Sequence, residues 1–273
     1  GIDPLYKSEV SVPWSSHEEP GLEWSTDLAA LMTDVPQAAD INFIVVPTPS
    51  LSSGAFDPAQ VVHALRQIVE VNAARAKFVS SEPDPPIAVI VSTVSPGTCE
   101  RLALSFPELR IVYNPTFIAL GSVVQGLTRP SLLLAGGEVA DVRDVFAIWV
   151  QVFRHFGPPK GMYSHGGSFT EIELIKLSVN AALGTKISLA NSLVELFKAW
   201  DVDPAVVNVI GEDPRIGREF FMPGSPIAGP CLPRDNRALQ DAASKMHIEL
   251  PLSVATDRVN HLFYERLFSD VLW

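Results

Sequence analysis

The sequence is poor in cysteine, in positive charge and in long apolar runs, and each shortage removes a class of function. Two cysteines in 273 residues, Cys99 and Cys231, cannot build a disulfide framework and show no repeated metal-ligand spacing. The six histidines (17, 63, 155, 165, 247 and 261) form no HxxxH or HxH cluster, so no metal site is expected. Twenty basic against 31 acidic side chains leave a net charge of -11, which argues against nucleic acid as the main partner, because phosphate contacts need basic surface. An anionic small molecule is not excluded, since it needs only two or three local cations. No stretch approaches the roughly eighteen apolar residues of a membrane span, and the first residues do not read as a signal peptide. A reducing cytoplasm and no membrane contact are the expectations. What is present is 47% apolar and 19% charged sequence, enough for one large or two moderate domains.

In the first half, short continuous apolar runs alternate with helical periodicity. Ile41–Val46, Ile87–Val91, Arg110–Tyr113 and Ser131–Ala135 read as buried strands. Pro58–Ala76 and Val139–Phe156 read as helices, and a shorter one precedes Arg110. This pattern predicts an α/β, Rossmann-like parallel sheet covered on both faces, with ligands beyond the carboxyl ends of its strands. Pro47-Thr-Pro49 and Ser92–Thr98 lie at two such ends. From Tyr163 onward no strand pattern recurs. Residues 1–160 are therefore expected to form the sheet domain and 161–273 an all-helical one.

Phe169–Trp200 dominates the second half, roughly thirty residues without a proline where an average helix has eleven or twelve. Ser168 or Thr170 can cap its start, and Glu171 and Glu173 suit the first turn. Its apolar residues run almost all the way round, which predicts burial on every side, by its own domain and by a second copy. Yet Glu173, Lys176 and Asn180 fall at steps of three and four and share one face, where a lysine and an asparagine need a polar cavity. The loop Pro223–Asp235 crowds prolines and small residues around Cys231, with Arg234 and Asp235 just beyond. A thiol among cations has the surroundings of a reactive cysteine; the alternative is a small buried hydrophobe, the reading kept for Cys99. Lys176 has an alternative too, a stem that snorkels to solvent. Asn180 could cap a neighbouring backbone group, Asp3 could be a turn residue, and Thr48 and Thr93 could be ordinary strand-end hydroxyls.

Taken in order, these pieces resemble the UDP-glucose/GDP-mannose dehydrogenases, NAD-dependent enzymes that oxidise the C6 alcohol of a nucleotide sugar to a carboxylate. The resemblance rests on Gly1-Ile-Asp3, Glu19-Pro-Gly-Leu22, Val45-Val-Pro-Thr-Pro49, Ser92–Thr98, Asn114-Pro-Thr-Phe117, Glu173–Asn180, Asn191, Asp213-Pro-Arg-Ile-Gly217 and Cys231-Leu-Pro-Arg-Asp235. It implies that Cys231 is the covalent nucleophile, forming a thiohemiacetal and then a thioester. Lys176 and Asn180 would hold the C6 oxygen, Asp235 would move a proton through a water, and Thr93 would position water. Asp3 would accept the ribose hydroxyls of NAD, with Val46, Pro47, Thr48, Thr93 and Arg234 also on the cofactor. Phe117 and Ile118, with Gly224, Ile227 and Gly229, would line the sugar nucleotide, and Arg215 would reach it from the partner of a homodimer built on the long helix.

The sequence departs from that family in several places. The strand and glycine-rich turn that should precede Gly1-Ile-Asp3, and the C-terminal nucleotide domain, are absent from it. The expectation is a fragment, or a segment supplied by another polypeptide, or lost cofactor binding. Thr116 stands where the family usually has a glutamate for thioester hydrolysis, and Leu120 where a second acidic residue often occurs. Pro226 replaces a common glycine and Arg234 a lysine, which keeps the charge but presents it as a planar fork. Two other readings stay open: a non-catalytic relative that binds a sugar nucleotide or a partner chain, and a 3-hydroxyacid-type dehydrogenase that needs the lysine and asparagine but no cysteine.

Overall fold

The structure is a computed structural model, and it describes residues 41–76, 84–118 and 121–271. Asp3, Glu19-Pro-Gly-Leu22 and Leu120 lie outside the described residues. Among the described residues the chain divides into two compact units, one within 41–49 and 57–172, the other within 50–56 and 173–271.

The first unit is built on a five-stranded sheet in the order β1 (Ile41–Ile44), β2 (Ile87–Ile90), β3 (Arg110–Tyr113), β4 (Leu132–Gly137) and β5 (Tyr163–Gly167). Helices α1 (Ala59–Arg75), α2 (Thr98–Ser105), α3 (Val123–Thr128) and α4 (Val139–Phe156) connect the strands. All four residues of β2 are buried, as a strand covered on both faces requires. Ile87, Val89, Val112 and Ala135 from three strands meet Val142 and Val145 of α4 in the core.

Two features correct the sequence reading. β1 with β2, β2 with β3 and β4 with β5 are parallel, but β3 and β4 pair antiparallel through Val112 with Gly137 and Tyr113 with Gly136. An apolar run is buried alike in either direction, so periodicity does not report strand sense. Residues 163–167, expected to be helical-domain sequence without a strand, form β5. This strand pairs with β4 and carries Tyr-Ser-His-Gly-Gly, none of it fully buried, so the apolar signature of an inner strand is missing.

The long helix α5 spans Phe169–Ala199, 31 residues, or roughly 46 Å. Ser168 caps it by accepting the Glu171 amide at 3.3 Å, while the Glu171 carboxylate turns back to His165 Nε2 at 2.7 Å. The first turn of α5 reaches the sheet where Gly136 leaves room. A methyl there would stand 2.9 Å from the Ser168 carbonyl and 3.1 Å from Phe169 Cα, both backbone atoms that cannot give way.

The second unit holds the rest of α5, a 3-10 helix (Pro204–Glu212), α6 (Leu232–Lys245) and α7 (Pro251–Val271). Ala190 and Val194 of α5 pack on Val207 and Phe221, and Leu177 packs on Phe56 and Ala238. The expectation that α5 is buried on every side is not met within one chain. Its buried stripe is Glu173, Lys176, Leu177, Asn180, Ala181, Gly184, Ser188, Asn191 and Val194, whereas Leu174, Leu189 and Leu196 stay exposed with Trp200 just beyond.

Candidate active site

The buried stripe of α5 carries the polar groups that the sequence singled out. Lys176 is only 7% exposed, so its stem does not snorkel to solvent, and Asn180 is 8% exposed. Across from them, the chain enters α6 at Cys231, with prolines and glycines before it and Pro233 in the first turn. The Asp235 amide donates to the Cys231 carbonyl at 2.9 Å, one helical turn on. Cys231 is exposed rather than a buried hydrophobe; Cys99, in α2, is buried.

Asn180 Nδ2 donates to Asp235 Oδ2 at 2.6 Å, and this bond ties α5 to α6. Lys176 lies near enough to feel both the Asp235 carboxylate and Cys231. Burial lowers the Lys176 ammonium below the ordinary lysine value, and attraction to Asp235 and Cys231 opposes it. Burial raises the Asp235 carboxyl above its ordinary value, against the pull of Lys176, the Asn180 hydrogen bond and Arg234. Two ionisable groups are thus pushed toward their neutral forms in one half-dry space that holds a thiol. Such a space can stabilise an oxyanion, accept a proton and attack a carbonyl carbon.

Arg234 packs its guanidinium over the Phe56 ring, 4.8 Å from the centroid, and donates from Nε to Ser50 Oγ at 3.1 Å. Ile227 is buried, while Gly224 and Gly229 are exposed. Arg215 is exposed and forks onto Asp213, with Nε to Oδ1 at 3.0 Å and Nη2 to Oδ2 at 2.6 Å.

In the first unit, Val46, Pro47 and Thr48 follow β1, and Thr93 follows β2. Thr48 Oγ1 donates to the Thr93 carbonyl at 2.8 Å, so the two loops are joined beyond the carboxyl ends of parallel strands, where such sheets take dinucleotides. Phe117 and Ile118 lie half-buried beyond β3.

Sequence reasoning gave no role to several residues that set these positions. Ser92 Oγ accepts from the Val46 amide at 2.8 Å and donates to the Val46 carbonyl at 2.7 Å, which stitches the loop after β1 to β2. Buried Asn114 donates to the Leu134 carbonyl and accepts from Trp149 Nε1 at 2.9 Å, and so anchors the turn that leads to Phe117. Lys186 donates to the carbonyls of Ile216, Gly217 and Glu219 and holds the loop that bears Arg215. The only signal for Lys186 was a lysine within an apolar helix.

Models of the UDP-glucose/GDP-mannose dehydrogenase family match twice: the NAD binding domain over residues 15–157 and the central domain over residues 170–262. The chain belongs to this family. Among relatives, the UDP-glucose 6-dehydrogenase AglM of Haloferax volcanii is 30% identical over 268 residues, covering 91% of this chain and 60% of that protein. The GDP-mannose 6-dehydrogenase of Pseudomonas aeruginosa is 25% identical over 272 residues, 92% of this chain and 59% of that one. A UDP-glucose dehydrogenase structure from Pyrobaculum islandicum superposes with a TM-score of 0.69 at 28% identity, covering 82% of this chain and 50% of its own. The chain thus spans about half to three-fifths of the length of these family members. Among the described residues, no helix is long and apolar enough to cross a membrane, and no cluster of ligands could hold a metal ion.

Proposed function

We propose that this chain carries the covalent chemistry of an NAD-dependent nucleotide-sugar 6-dehydrogenase. The observation that carries the reading is the meeting of Lys176, Asn180, Asp235 and Cys231 on α5 and the first turn of α6. Overall, a C6 alcohol, two NAD and one water would give a carboxylate, two NADH and three protons. NAD, when bound, supplies the hydride acceptor in both oxidations; Asp3, Val46, Pro47, Thr48, Thr93 and Arg234 are the residues that would hold it.

In the first oxidation, Lys176 and Asn180 hold the C6 oxygen while Asp235, through a water, takes its proton. The Cys231 thiol then gives its proton to solvent and its sulfur bonds to the aldehyde carbon while the carbonyl π pair moves onto oxygen, and Lys176 and Asn180 stabilise the resulting oxyanion. Loss of the second hydride leaves a thioester on Cys231. Water attacks that carbon and the thiol leaves. Thr116 has no carboxylate for this step, so the base falls to Asp235, whose raised carboxyl takes a proton more readily than an ordinary one. Thr93 positions water; Phe117, Ile118, Gly224, Ile227 and Gly229 line the sugar nucleotide. In this reading the sheet-bearing unit, which includes β5 and runs to Ile172, forms the cofactor part and the helices from Glu173 onward the helical part, and a free reactive thiol fits a reducing cytoplasm.

The test is stoichiometry. With NAD and UDP-glucose, or GDP-mannose as the second arm, two NADH should accumulate per uronate released. One NADH per sugar with free aldehyde as the end product would exclude the thioester route.

We also propose a homodimer through α5, with Arg215 offered to the partner's sugar. It is supported by the exposed apolar positions Leu174, Leu189 and Leu196. Light scattering should give twice the chain mass for the wild type and a monomer for the Leu189→Glu, Leu196→Glu double variant. A monomeric wild type at micromolar concentration would end this part.

A further inference from the structure

The segment that leads into Cys231 has an unusual source of order. Among the described residues, no backbone-to-backbone hydrogen bond involves residues 222–230, a stretch with Pro223, Pro226 and Pro230 and with Gly224 and Gly229 at φ of +108° and +82°. A segment of this kind, left to itself, samples many conformations. Four hydrogen bonds from two asparagine side chains hold it instead. Asn191 of α5, 3% exposed, accepts the Gly224 amide at 2.9 Å and donates to the Ser225 carbonyl at 2.8 Å. Asn260 of α7 accepts the Ile227 amide at 2.6 Å and donates to the Ile227 carbonyl at 3.1 Å. Each side-chain amide thus stands in for a neighbouring strand, satisfying a donor and an acceptor of the loop. Between the two clamps the Ile227 side chain is buried.

We propose that Asn191 and Asn260 are positioning residues, which hold segment 224–229 as a preformed wall for the nucleotide sugar and so fix the approach to Cys231. The inference rests on the function proposed above and adds two residues to it. A wall fixed in advance does not have to be ordered by the ligand, and that saving appears as affinity. Glycines at both ends let the sugar nucleotide come close to the backbone without meeting a side chain.

The experiment compares the wild type with Asn191→Ala, Asn260→Ala and the milder Asn191→Asp, which keeps the acceptor for Gly224 and loses the donor to Ser225. Two quantities are read on folded protein: hydrogen exchange of the Gly224 and Ile227 amides, and KM and kcat for UDP-glucose or whichever nucleotide sugar the wild type oxidises. The expected result is faster exchange of the unclamped amide together with a KM raised about tenfold or more and a smaller change in kcat. Asn191→Asp should lie between, and it serves in place of Asn191→Ala should that variant not fold. Faster exchange with an unchanged KM would overturn the inference and leave the proposed function standing, as would exchange that does not change. A wild type that oxidises no nucleotide sugar would overturn both.

Discussion

Cys231→Ser is expected to abolish uronate formation while leaving the protein folded. The thiol is exposed at the start of α6 and contributes little burial, and serine is well suited to the entry of a helix. Stability in urea should therefore stay within about 0.5 kcal/mol of the wild type. Carboxylate formation should fall by on the order of a thousandfold or more, the scale at which removing a covalent nucleophile is felt. A serine hydroxyl is a far weaker nucleophile than a thiol at neutral pH, so any sugar turned over should stop at the aldehyde. Carboxylate formed at the wild-type rate would sink the covalent role of Cys231. Alcohol oxidation at the same rate in wild type and variant, with neither protein releasing carboxylate, would favour a hydroxyacid-type dehydrogenase.

The second large effect is expected at Lys176. Lys176→Met keeps most of the stem and removes the ammonium, so kcat should fall about 10²- to 10³-fold, the usual cost of one lost oxyanion donor. The same substitution has a signature in stability. Burial holds the folded pKa of Lys176 below its unfolded value of 10.5. Between those two values the unfolded chain binds more protons, so the stability that Lys176 contributes grows as pH climbs toward 10.5 and is lost as pH falls through the folded value. Urea melts at several pH values should show the wild type gaining on Lys176→Met over that alkaline range. A difference that stays flat with pH would mean that the ammonium is not buried as described. A kcat within a few-fold of the wild type would remove Lys176 from the chemistry.

Much of this was readable from residue order. Val139–Phe156 was bounded by periodicity alone, and the long helix by the lack of any proline from Phe169 to Trp200. The face shared by Glu173, Lys176 and Asn180 followed from helical spacing, and the structure finds all three buried. What stayed hidden has physical reasons. β5 is a polar strand, and its backbone pairing with β4 has no counterpart in side-chain pattern. Strand direction between β3 and β4 is likewise silent, since Val112 and Tyr113 are buried whichever way they run. The clamps at Asn191 and Asn260 join residues more than thirty positions from their partners, and an asparagine in a helix gives no sign of which loop it holds. Whether Cys231 was a small buried hydrophobe turned on its exposure, which the sequence does not contain.

The bond from the Asp235 amide to the Cys231 carbonyl has an implication for redesign. Sulfur and carboxylate ride on one rigid turn, so their spacing cannot be tuned by reshaping the loop; a remodelled loop would swing both together. Under the function proposed here, a bulkier sugar would have to be accommodated by the residues that line it outside that turn, Phe117, Ile118 and Ile227 among them, and variants selected for new sugars should accumulate their changes there.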